Sequence, residues 1–517
     1  MTVSSVFQTC RQRIKPKWKT AFFSALILGL LIHLPILVSD IPNHDGLDSI
    51  YFDQNMITSG RWFLMIACGA SSYYTIPWVI GLLGILFLGM TSACLTELLE
   101  VEKTWAVVVI SGLLVSFPAL ASTFAYVFTL DGYMFAMFLA VLAVLLTRKR
   151  KWGFLPGAVC LAFSLGTYQA YIAFAMLLSL ACCVMICAED GKIVDKVKRM
   201  ASFLWMGLLG MTLYLTILKV LLRLQGKELA GYQGINGIAA GEASDRGLLS
   251  TIFAMYRDFF AFSLKGGVLF HNGLSLTAAG LLAAAVLLCG GWLAYRRKWW
   301  KSPLFFAIIV VVCLAVPLAA NGILLISPGV NYHLLMRYQW ILFPIAGVAF
   351  VSRCMEGDRF PGWMEWIALI SGAALIFFYG VTDNIAYGNL MKKYEKTYAY
   401  CVRLLDRIEQ TPGYYPGIPV AMIGVVGDEQ FPVTDVTGEV TDVMIGMNGD
   451  YLLYTGKNYE SFLRNYLGAT LNILPTSAME EAYYSEEYTQ MESFPGSDSI
   501  RIIDGILYVK TENVTRN

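Results

Sequence analysis

The sequence predicts a polytopic α-helical membrane protein with a small C-terminal α/β domain, and three observations support this fold class. Hydrophobic residues make up 57% of the 517 residues and charged residues only 15%, whereas soluble domains carry about 25% charged residues. Apolar runs long enough to cross a bilayer recur up to residue 381. The remaining segment lacks such runs and is acidic. This profile excludes an ordinary soluble enzyme.

Eleven segments have the length and apolarity expected of membrane spans. They lie at 20–38, 76–96, 105–122, 131–147, 153–168, 170–187, 203–222, 274–294, 303–326, 338–351 and 363–381. The tenth is short and the fifth and sixth nearly adjoin, so the prediction is about 11 spans within a range of roughly ten to twelve. The run at 20–38 is too long for a secretory signal peptide, and we interpret it as the first span.

The orientation follows from the distribution of Lys and Arg. These residues concentrate before the first span and in alternate connections, including 148–151, 192–199 and 296–301. Cytoplasmic loops carry the excess of cationic residues, so the N-terminus is predicted to be cytoplasmic, in the plasma (inner) membrane. With an odd number of spans, the chain divides into a membrane domain at 1–381 and an extracytoplasmic domain at 382–517.

The C-terminal segment has the pattern of a small folded domain. A helical stretch at 394–409 precedes a buried strand at 420–426, and a closing strand at 500–509 is interrupted by Asp504 and Gly505. An α/β domain accounts for this order of elements.

Several function classes drop out. The formal net charge is only +1, so the protein has no broad basic field that would attract nucleic acid. Most of the 11 cysteines lie inside apolar runs, and the four histidines are scattered, which disfavours zinc, haem and iron–sulfur sites.

The first outer loop, at 39–62, concentrates carboxylates beside a membrane span. It contains Asp40, Asp45, Asp48 and Asp53. Ionisable residues near hydrocarbon are functional candidates, because placing them there costs free energy. Asp45 and Asp48 would share one face of a helical turn, with Phe52 and Met56 continuing an apolar stripe. The alternative is that these acids solvate the loop or cap a short helix.

Other outer residues are candidates for substrate binding, each with a simpler structural alternative. Asp131 begins the fourth span, where a carboxylate also suits a helix N-terminus. Gln169 is unexpected in a tight turn, whereas aromatic residues such as Tyr171 are common at interfaces. Lys219 and Arg223 share a helix face and either bind phosphate or extend to lipid headgroups. Arg337 offers a planar fork of donors to phosphate oxygens.

The long outer segment at 224–273 contains a glycine-rich part without a phosphate-binding motif. An amphipathic helix is predicted at 248–264. Carboxylates facing isolated cations at the outer surface suit transfer of a sugar from a polyprenyl-phosphate donor: an aspartate takes the acceptor proton and a cation stabilises the leaving phosphate.

The sequence resembles the bacterial type II O-antigen glucosyltransferases (the Gtr family), within the GT-C class of membrane glycosyltransferases. The resemblance extends over nearly the whole chain and rests on short motifs. They are the acidic loop ending in Ser59-Gly60-Arg61-Trp62, then Thr129-Leu130-Asp131-Gly132-Tyr133, Gly166-Thr167-Tyr168-Gln169, Phe494-Pro495-Gly496-Ser497 and Ile503-Asp504-Gly505.

The resemblance implies a GT-C-like fold, a polyprenyl-phosphate-glucose donor, a surface glycan acceptor and an inverting mechanism. It points to Asp45 or Asp48 as the catalytic base, with Asp53 as a weaker candidate. We expect Arg337, and Lys219 with Arg223, to bind the lipid phosphate. Arg61, Tyr168 and Gln169 are expected to line the sugar site, and Asp53 and Asp131 are further substrate-binding candidates. Some GT-C enzymes use a divalent metal and others do not, so the resemblance leaves the cofactor open; Asp45 and Asp48 could bind Mg²⁺ or Mn²⁺.

Two other classes compete with this hypothesis. A transporter or flippase for a lipid-linked sugar would need similar grooves, but the sequence shows neither internal repeats nor paired midplane charges. A non-catalytic assembly protein would leave the acidic first loop unexplained.

Overall fold

We analysed a computed structural model of the chain. It describes residues 2–5, 12–69, 74–230, 248–270, 272–301, 303–326, 330–357, 360–423, 444, 447, 453 and 456–511. The predicted strand at 420–426 therefore lies partly outside the described residues, as does most of the glycine-rich segment.

Long helices dominate the part of the chain up to residue 409. The principal ones are α1 (Pro16–Leu37), α4 (Pro77–Leu98), α5 (Thr104–Ser116), α6 (Pro118–Phe124), α7 (Leu130–Lys149), α8 (Phe154–Thr167), α9 (Ile172–Ala188), α10 (Ile193–Gln225), α11 (Leu248–Lys265), α12 (Gly273–Arg297), α13 (Pro303–Ala320), α15 (Leu342–Gly357) and α16 (Trp363–Glu409). Short helices α2 (His44–Asp48), α3 (Leu64–Ala67) and α14 (Ile323–Ile326) lie between them. Single 3₁₀ segments occur at Ile57–Ser59, Val127–Thr129, Gln169–Tyr171, Trp299–Lys301 and Leu334–Ile341.

The helices confirm a polytopic membrane protein. Among the described residues, eight helices are long and apolar enough to cross a bilayer, and the bent pair α5 and α6 makes a ninth if counted as one span. Two shorter apolar helices, Phe154–Thr167 and Phe305–Ala320, coincide with the fifth and ninth predicted segments. The predicted number of about 11 stays a prediction, since these two helices are shorter than a typical span.

The α5–α6 pair bends by 42° because Pro118 interrupts the helical ladder after Phe117. Interior side chains meet the backbone carbonyls at this break. The hydroxyl of Tyr338 donates to the carbonyl of Leu114 at 2.6 Å, and Nε2 of His33 lies 2.7 Å from the carbonyl of Val115. Polar side chains therefore hydrogen-bond to the backbone carbonyls that the helix break leaves without a helical partner, inside an otherwise apolar bundle.

One end of the bundle is joined by ion pairs between different helices. Lys15 contacts Glu97, Lys103 contacts Glu365, and Arg148 contacts both Glu100 and Glu189. The alternate connections that are rich in Lys and Arg thus meet at the same end, as the positive-inside pattern requires. Assignment of this end to the cytoplasm stays a prediction.

The C-terminal region contains a four-stranded sheet. Its strands are β1 (Pro419–Ile423), β2 (Asn472–Ile473), β3 (Ile500–Ile503) and β4 (Ile506–Lys510), in the order β2-β1-β4-β3. β1 runs parallel to β2 and β4, and β3 pairs antiparallel with β4, with Val420 opposite Leu507 and Ile503 opposite Ile506. Helices α17 (Gly456–Phe462), α18 (Thr476–Tyr483) and α19 (Glu486–Gln490) and a π-helical turn at Leu463–Leu467 accompany it.

The predicted break at Asp504 and Gly505 is a hairpin turn: both residues have positive φ, 49° and 80°. Asp and Gly tolerate that conformation better than other residues. The predicted domain boundary at 381 falls inside α16, which continues to Glu409 and carries the C-terminal region on a continuous helix. The division into 1–381 and 382–517 stays a prediction.

Candidate functional site

The first outer loop folds around the short helix α2. Asn43 caps its N-terminus, accepting a hydrogen bond from the Gly46 amide at 2.7 Å. The helix stops at Asp48, and Gln54 then has a φ of 57°. The prediction that Phe52 and Met56 continue a helical stripe is therefore wrong, because the chain has already left the helix before Phe52.

The C-terminal region holds this loop in place. Nδ2 of Asn458 donates to Oδ1 of Asp48 at 3.0 Å, and the hydroxyl of Ser461 donates to the Leu47 carbonyl at 2.6 Å. Nζ of Lys457 lies 3.7 Å from Oδ2 of Asp48. Asp48 is thus part of a contact between two regions more than 400 positions apart in sequence. We call the Asn458 and Ser461 hydrogen bonds the loop clasp.

The other two acids of the predicted site have different surroundings. Asp45 is 55% exposed, with one oxygen 3.6 Å from Nε2 of His44. Asp53 accepts a hydrogen bond from the Asn55 amide at 3.0 Å, which is a local turn contact. Among the described residues, no group of three or more His, Cys, Asp or Glu side chains could hold a metal ion.

Asp40 is the acid that lines a cleft. The cleft is narrow, with a cavity volume of about 20 Å³, and lies between the end of α1, the first outer loop, the start of α4 and Tyr466. Burial raises the pKa of Asp40 above its ordinary value, and a hydrogen bond from the hydroxyl of Tyr466, at 3.4 Å, opposes that rise. Carboxyl groups with shifted pKa values in clefts are candidates for acid–base chemistry.

A second polar group assembles where three of the sequence motifs meet. Gln169 donates to the carbonyl of Ser59 at 2.9 Å and lies 3.2 Å from the hydroxyl of Tyr214. Gly60 has a φ of 77°, and a Cβ there would lie 2.7 Å from both Gln169 and Tyr214. Only glycine permits this approach, which explains its position between Ser59 and Arg61.

Arg61 lies against two tyrosines. Its Nη1 donates to the hydroxyl of Tyr133 at 3.0 Å, and its guanidinium is 5.1 Å from the ring centre of Tyr168. The Tyr133 and Tyr168 rings stack at 4.2 Å. The predicted residues Arg61, Tyr168 and Gln169 are therefore neighbours. We call them, with Tyr133, the arginine–tyrosine cluster.

Asp131 begins helix α7 as the sequence predicted. It lies in the first turn, is 1% exposed, and accepts a hydrogen bond from the Gly132 amide at 2.8 Å. The helix dipole favours a carboxylate at this end. The structure accounts for Asp131 as a helix-start residue two positions before Tyr133, and its role in substrate binding stays a prediction.

Arg337 is nearly buried and makes a bidentate ion pair with Asp258 of α11, with both N–O distances 2.7 Å. Its guanidinium lies 3.8 Å from the ring centre of Tyr332. The amphipathic helix predicted at 248–264 is confirmed as α11, and it supplies this partner. The sequence offered no signal that Asp258 would be the residue facing Arg337.

His333 connects the two cationic groups. Burial, then the nearby charges of Arg337 and Arg61, lower its pKa to about 4, so the imidazole is neutral at neutral pH. Its Nδ1 is buried with no hydrogen-bond partner among the described residues. The charges of Arg61 and Arg337 thus both act on this imidazole, although Arg337 is also paired with Asp258.

Lys219 and Arg223 lie outside this arrangement. Both are exposed on α10, whereas Tyr214, Leu218 and Leu222 form its buried face. Their position at the surface fits the alternative of contact with lipid headgroups, and their binding of substrate phosphate stays a prediction.

The chain was compared with known families and proteins. The family model described as Glucosyl transferase GtrII matches residues 34–343, more than half of the chain. The chain belongs to this glucosyl transferase family. No curated protein and no solved structure matches it.

Membership of the GtrII family, with the apolar helices, makes the chain a membrane glycosyltransferase. The matched range includes the Asp40 cleft residues up to Val127, the arginine–tyrosine cluster and Arg337. It ends before the sheet of the C-terminal region, so Tyr466 and the loop clasp lie outside the matched range.

The loop clasp leads to a testable expectation. We expect the double variant Asn458→Ala/Ser461→Ala to accelerate amide hydrogen exchange at 43–50, because each lost hydrogen bond contributes about 1 kcal/mol. Hydrogen exchange read by mass spectrometry measures this effect. The matched control is Asn472→Ala, which removes a bond to the Gly417 carbonyl within the C-terminal region. Equal exchange at 43–50 in the wild type and the double variant would contradict the clasp.

Proposed function

We propose that this GtrII-family protein transfers glucose from a polyprenyl-phosphate donor to a cell-surface glycan at the outer face of the plasma membrane. The observation that carries the proposal is the cleft carboxylate Asp40 in the same loop as Arg61, the cation of the arginine–tyrosine cluster. The donor arrives on a lipid, so the protein needs no nucleotide-binding motif.

Asp40 is the base in this proposal. A hydroxyl of the acceptor glycan loses its proton to the Asp40 carboxylate while its oxygen bonds to C1 of the sugar. The bond between C1 and the phosphate oxygen breaks, and polyprenyl phosphate leaves with its electron pair. Attack opposite the leaving group inverts the anomeric configuration. The supporting facts are the position of Asp40 at the edge of the cleft, where it stays accessible to an acceptor, and its contact with Tyr466.

The departing phosphate requires positive charge. Arg61 and Arg337 supply it in this proposal, and the neutral imidazole of His333, whose pKa both arginines lower, is a further donor. Arg337 already has a carboxylate partner, and phosphate would compete with Asp258 for the same fork of donors. Tyr168 and Gln169, next to Arg61, are positioned to contact the sugar, and the apolar helices would accommodate the polyprenyl chain.

The C-terminal region would receive the glycan acceptor. Tyr466 borders the Asp40 cleft from the side of this region, so an acceptor bound there would reach the base. This assignment requires the region to lie outside the cytoplasm, as the predicted topology has it.

The experiment uses right-side-out membrane vesicles containing the full chain, with vesicles from the host lacking it as the control. We expect label to pass from polyprenyl-phosphate [¹⁴C]glucose to the surface glycan, and none to pass directly from UDP-glucose. Transfer from UDP-glucose in the absence of lipid donor would refute the donor. Movement of the lipid-linked sugar across the bilayer, with no transfer to a glycan, would support a flippase instead.

A further inference from the structure

A basic cleft lies at the opposite end of the bundle from the proposed active site. It has a cavity volume of about 630 Å³ and lies between the α7–α8 connection and the first turns of α10. Its lining contains six cationic side chains, at Arg148, Lys149, Arg150, Lys151, Lys198 and Arg199, and one acidic side chain, Asp195. Neither the family assignment nor the proposed reaction uses this cleft.

Only part of this positive charge is neutralised by the protein. Arg148 and Lys149 contact Glu100, and Arg199 contacts Glu189. The remaining three cations, Arg150, Lys151 and Lys198, form no ion pair in the part of the chain that the structure describes. The cleft therefore presents unneutralised positive charge to whatever occupies it.

The connection that carries Arg150 and Lys151 is tightly fixed. A Cβ at Gly153 would lie 1.8 Å from the carbonyl oxygen of Leu146, and a Cβ at Gly157 would lie 2.6 Å from the hydroxyl of Thr147. Glycine at these positions lets α8 begin in direct backbone contact with α7. The backbone positions of the two cations are thus set before any ligand binds.

Aromatic and apolar side chains place the cleft at the membrane interface. Trp152 and Trp205 line it and are 64% and 55% exposed. Tryptophan is enriched at the level of lipid headgroups. Leu155 on α8 and Leu208 on α10 are also exposed, each three positions after one of these tryptophans in sequence. Cations at headgroup level with apolar surface beside them match the two parts of a phospholipid.

We propose that the basic cleft binds an anionic phospholipid, with the phosphate headgroup between Arg150, Lys151 and Lys198 and the acyl chains along the exposed leucines. The headgroup of a zwitterionic lipid contains its own positive charge, so its phosphate gains less electrostatic binding energy from the cations of the cleft. The size of the cleft leaves room for a headgroup with two phosphates, as in cardiolipin.

The test measures lipid binding to the full-length protein purified in detergent, by native mass spectrometry at matched lipid concentrations. We expect cardiolipin to bind at least about tenfold more tightly than phosphatidylcholine. The variant Arg150→Gln/Lys151→Gln/Lys198→Gln should lose most of that preference. The matched control is Lys192→Gln/Lys298→Gln/Lys301→Gln, which removes three exposed cations that do not line the cleft.

Each outcome decides the proposal. Loss of the preference in the cleft variant alone supports it, and equal loss in both variants would mean that cardiolipin responds only to the total charge. Soluble glycerophosphate that displaces cardiolipin at equal concentration would show a site for free phosphate, which overturns the assignment to lipid. All six substituted side chains are on the surface, so we expect both variants to remain folded. Gel filtration checks this.

Discussion

Asp40→Asn should reduce glucose transfer by a factor of roughly a hundred or more, because general-base catalysis typically contributes two to four orders of magnitude. Asparagine preserves the shape of the side chain but cannot take up a proton. The measurement is kcat for transfer from polyprenyl-phosphate glucose, at matched amounts of folded protein. Asp45→Asn is the matched control in the same loop, and we expect it to retain most of the activity, since Asp45 does not line the cleft.

The pH profile gives a second readout. The base acts when deprotonated, so activity should fall as pH drops through the Asp40 pKa, at a pH above the ordinary range for aspartate because burial raises that pKa. Tyr466 donates a hydrogen bond that lowers the pKa. Tyr466→Phe should therefore move the acid limb to higher pH. Full activity in Asp40→Asn, or loss only in Asp45→Asn or Asp48→Asn, would transfer the role to another acid of the loop.

Arg337→Gln should impair both stability and donor use. It leaves Asp258 without the two bonds of its ion pair, which we expect to cost about 3 kcal/mol, at the lower end for buried pairs because Asp258 is 29% exposed. If Arg337 also binds the donor phosphate, KM for the donor should rise at least tenfold at a temperature where the variant is folded.

Asp258→Asn distinguishes the two roles of Arg337. It breaks the same ion pair but keeps the cation, so it should lower thermal stability to a similar degree while leaving the donor KM near that of the wild type or below it. Equal donor KM values in both variants would limit Arg337 to holding α11. Thermal unfolding read by intrinsic fluorescence and initial rates at varied donor concentration supply the two readouts.

Local features of the sequence predicted the helices well. The helix start at Asp131, the amphipathic helix at 248–264 and the eight apolar helices long enough to span a bilayer among the described residues all depend on residues close together in sequence. The motifs around Gly60, Tyr133 and Gly166 identified Arg61 and Gln169 as candidate residues. No local pattern showed that these motifs are in contact. The hairpin at Asp504 and Gly505 was also predicted from the sequence, because Asp and Gly are typical turn residues.

The sequence did not indicate which of the four aspartates in the first outer loop lies in a cleft. Asp40, Asp45, Asp48 and Asp53 are alike in sequence, and what separates them is contact with distant residues: Asp40 with Tyr466 and Asp48 with Asn458. The pairing of Arg337 with Asp258 and the effect of Arg61 on the pKa of His333 are also long-range interactions. Spacing along the chain carries no information about such pairs.

The sequence alone determined that this chain is a membrane protein, where its apolar helices lie and which end of the bundle gathers cations, because burial in lipid selects for length and composition locally. The tertiary structure alone decided which carboxylate lies in a cleft, which arginine already has a partner and which cations remain unneutralised. These properties depend on the low dielectric and the neighbours that packing creates, and Asp40 and Tyr466 are 426 positions apart before the chain folds.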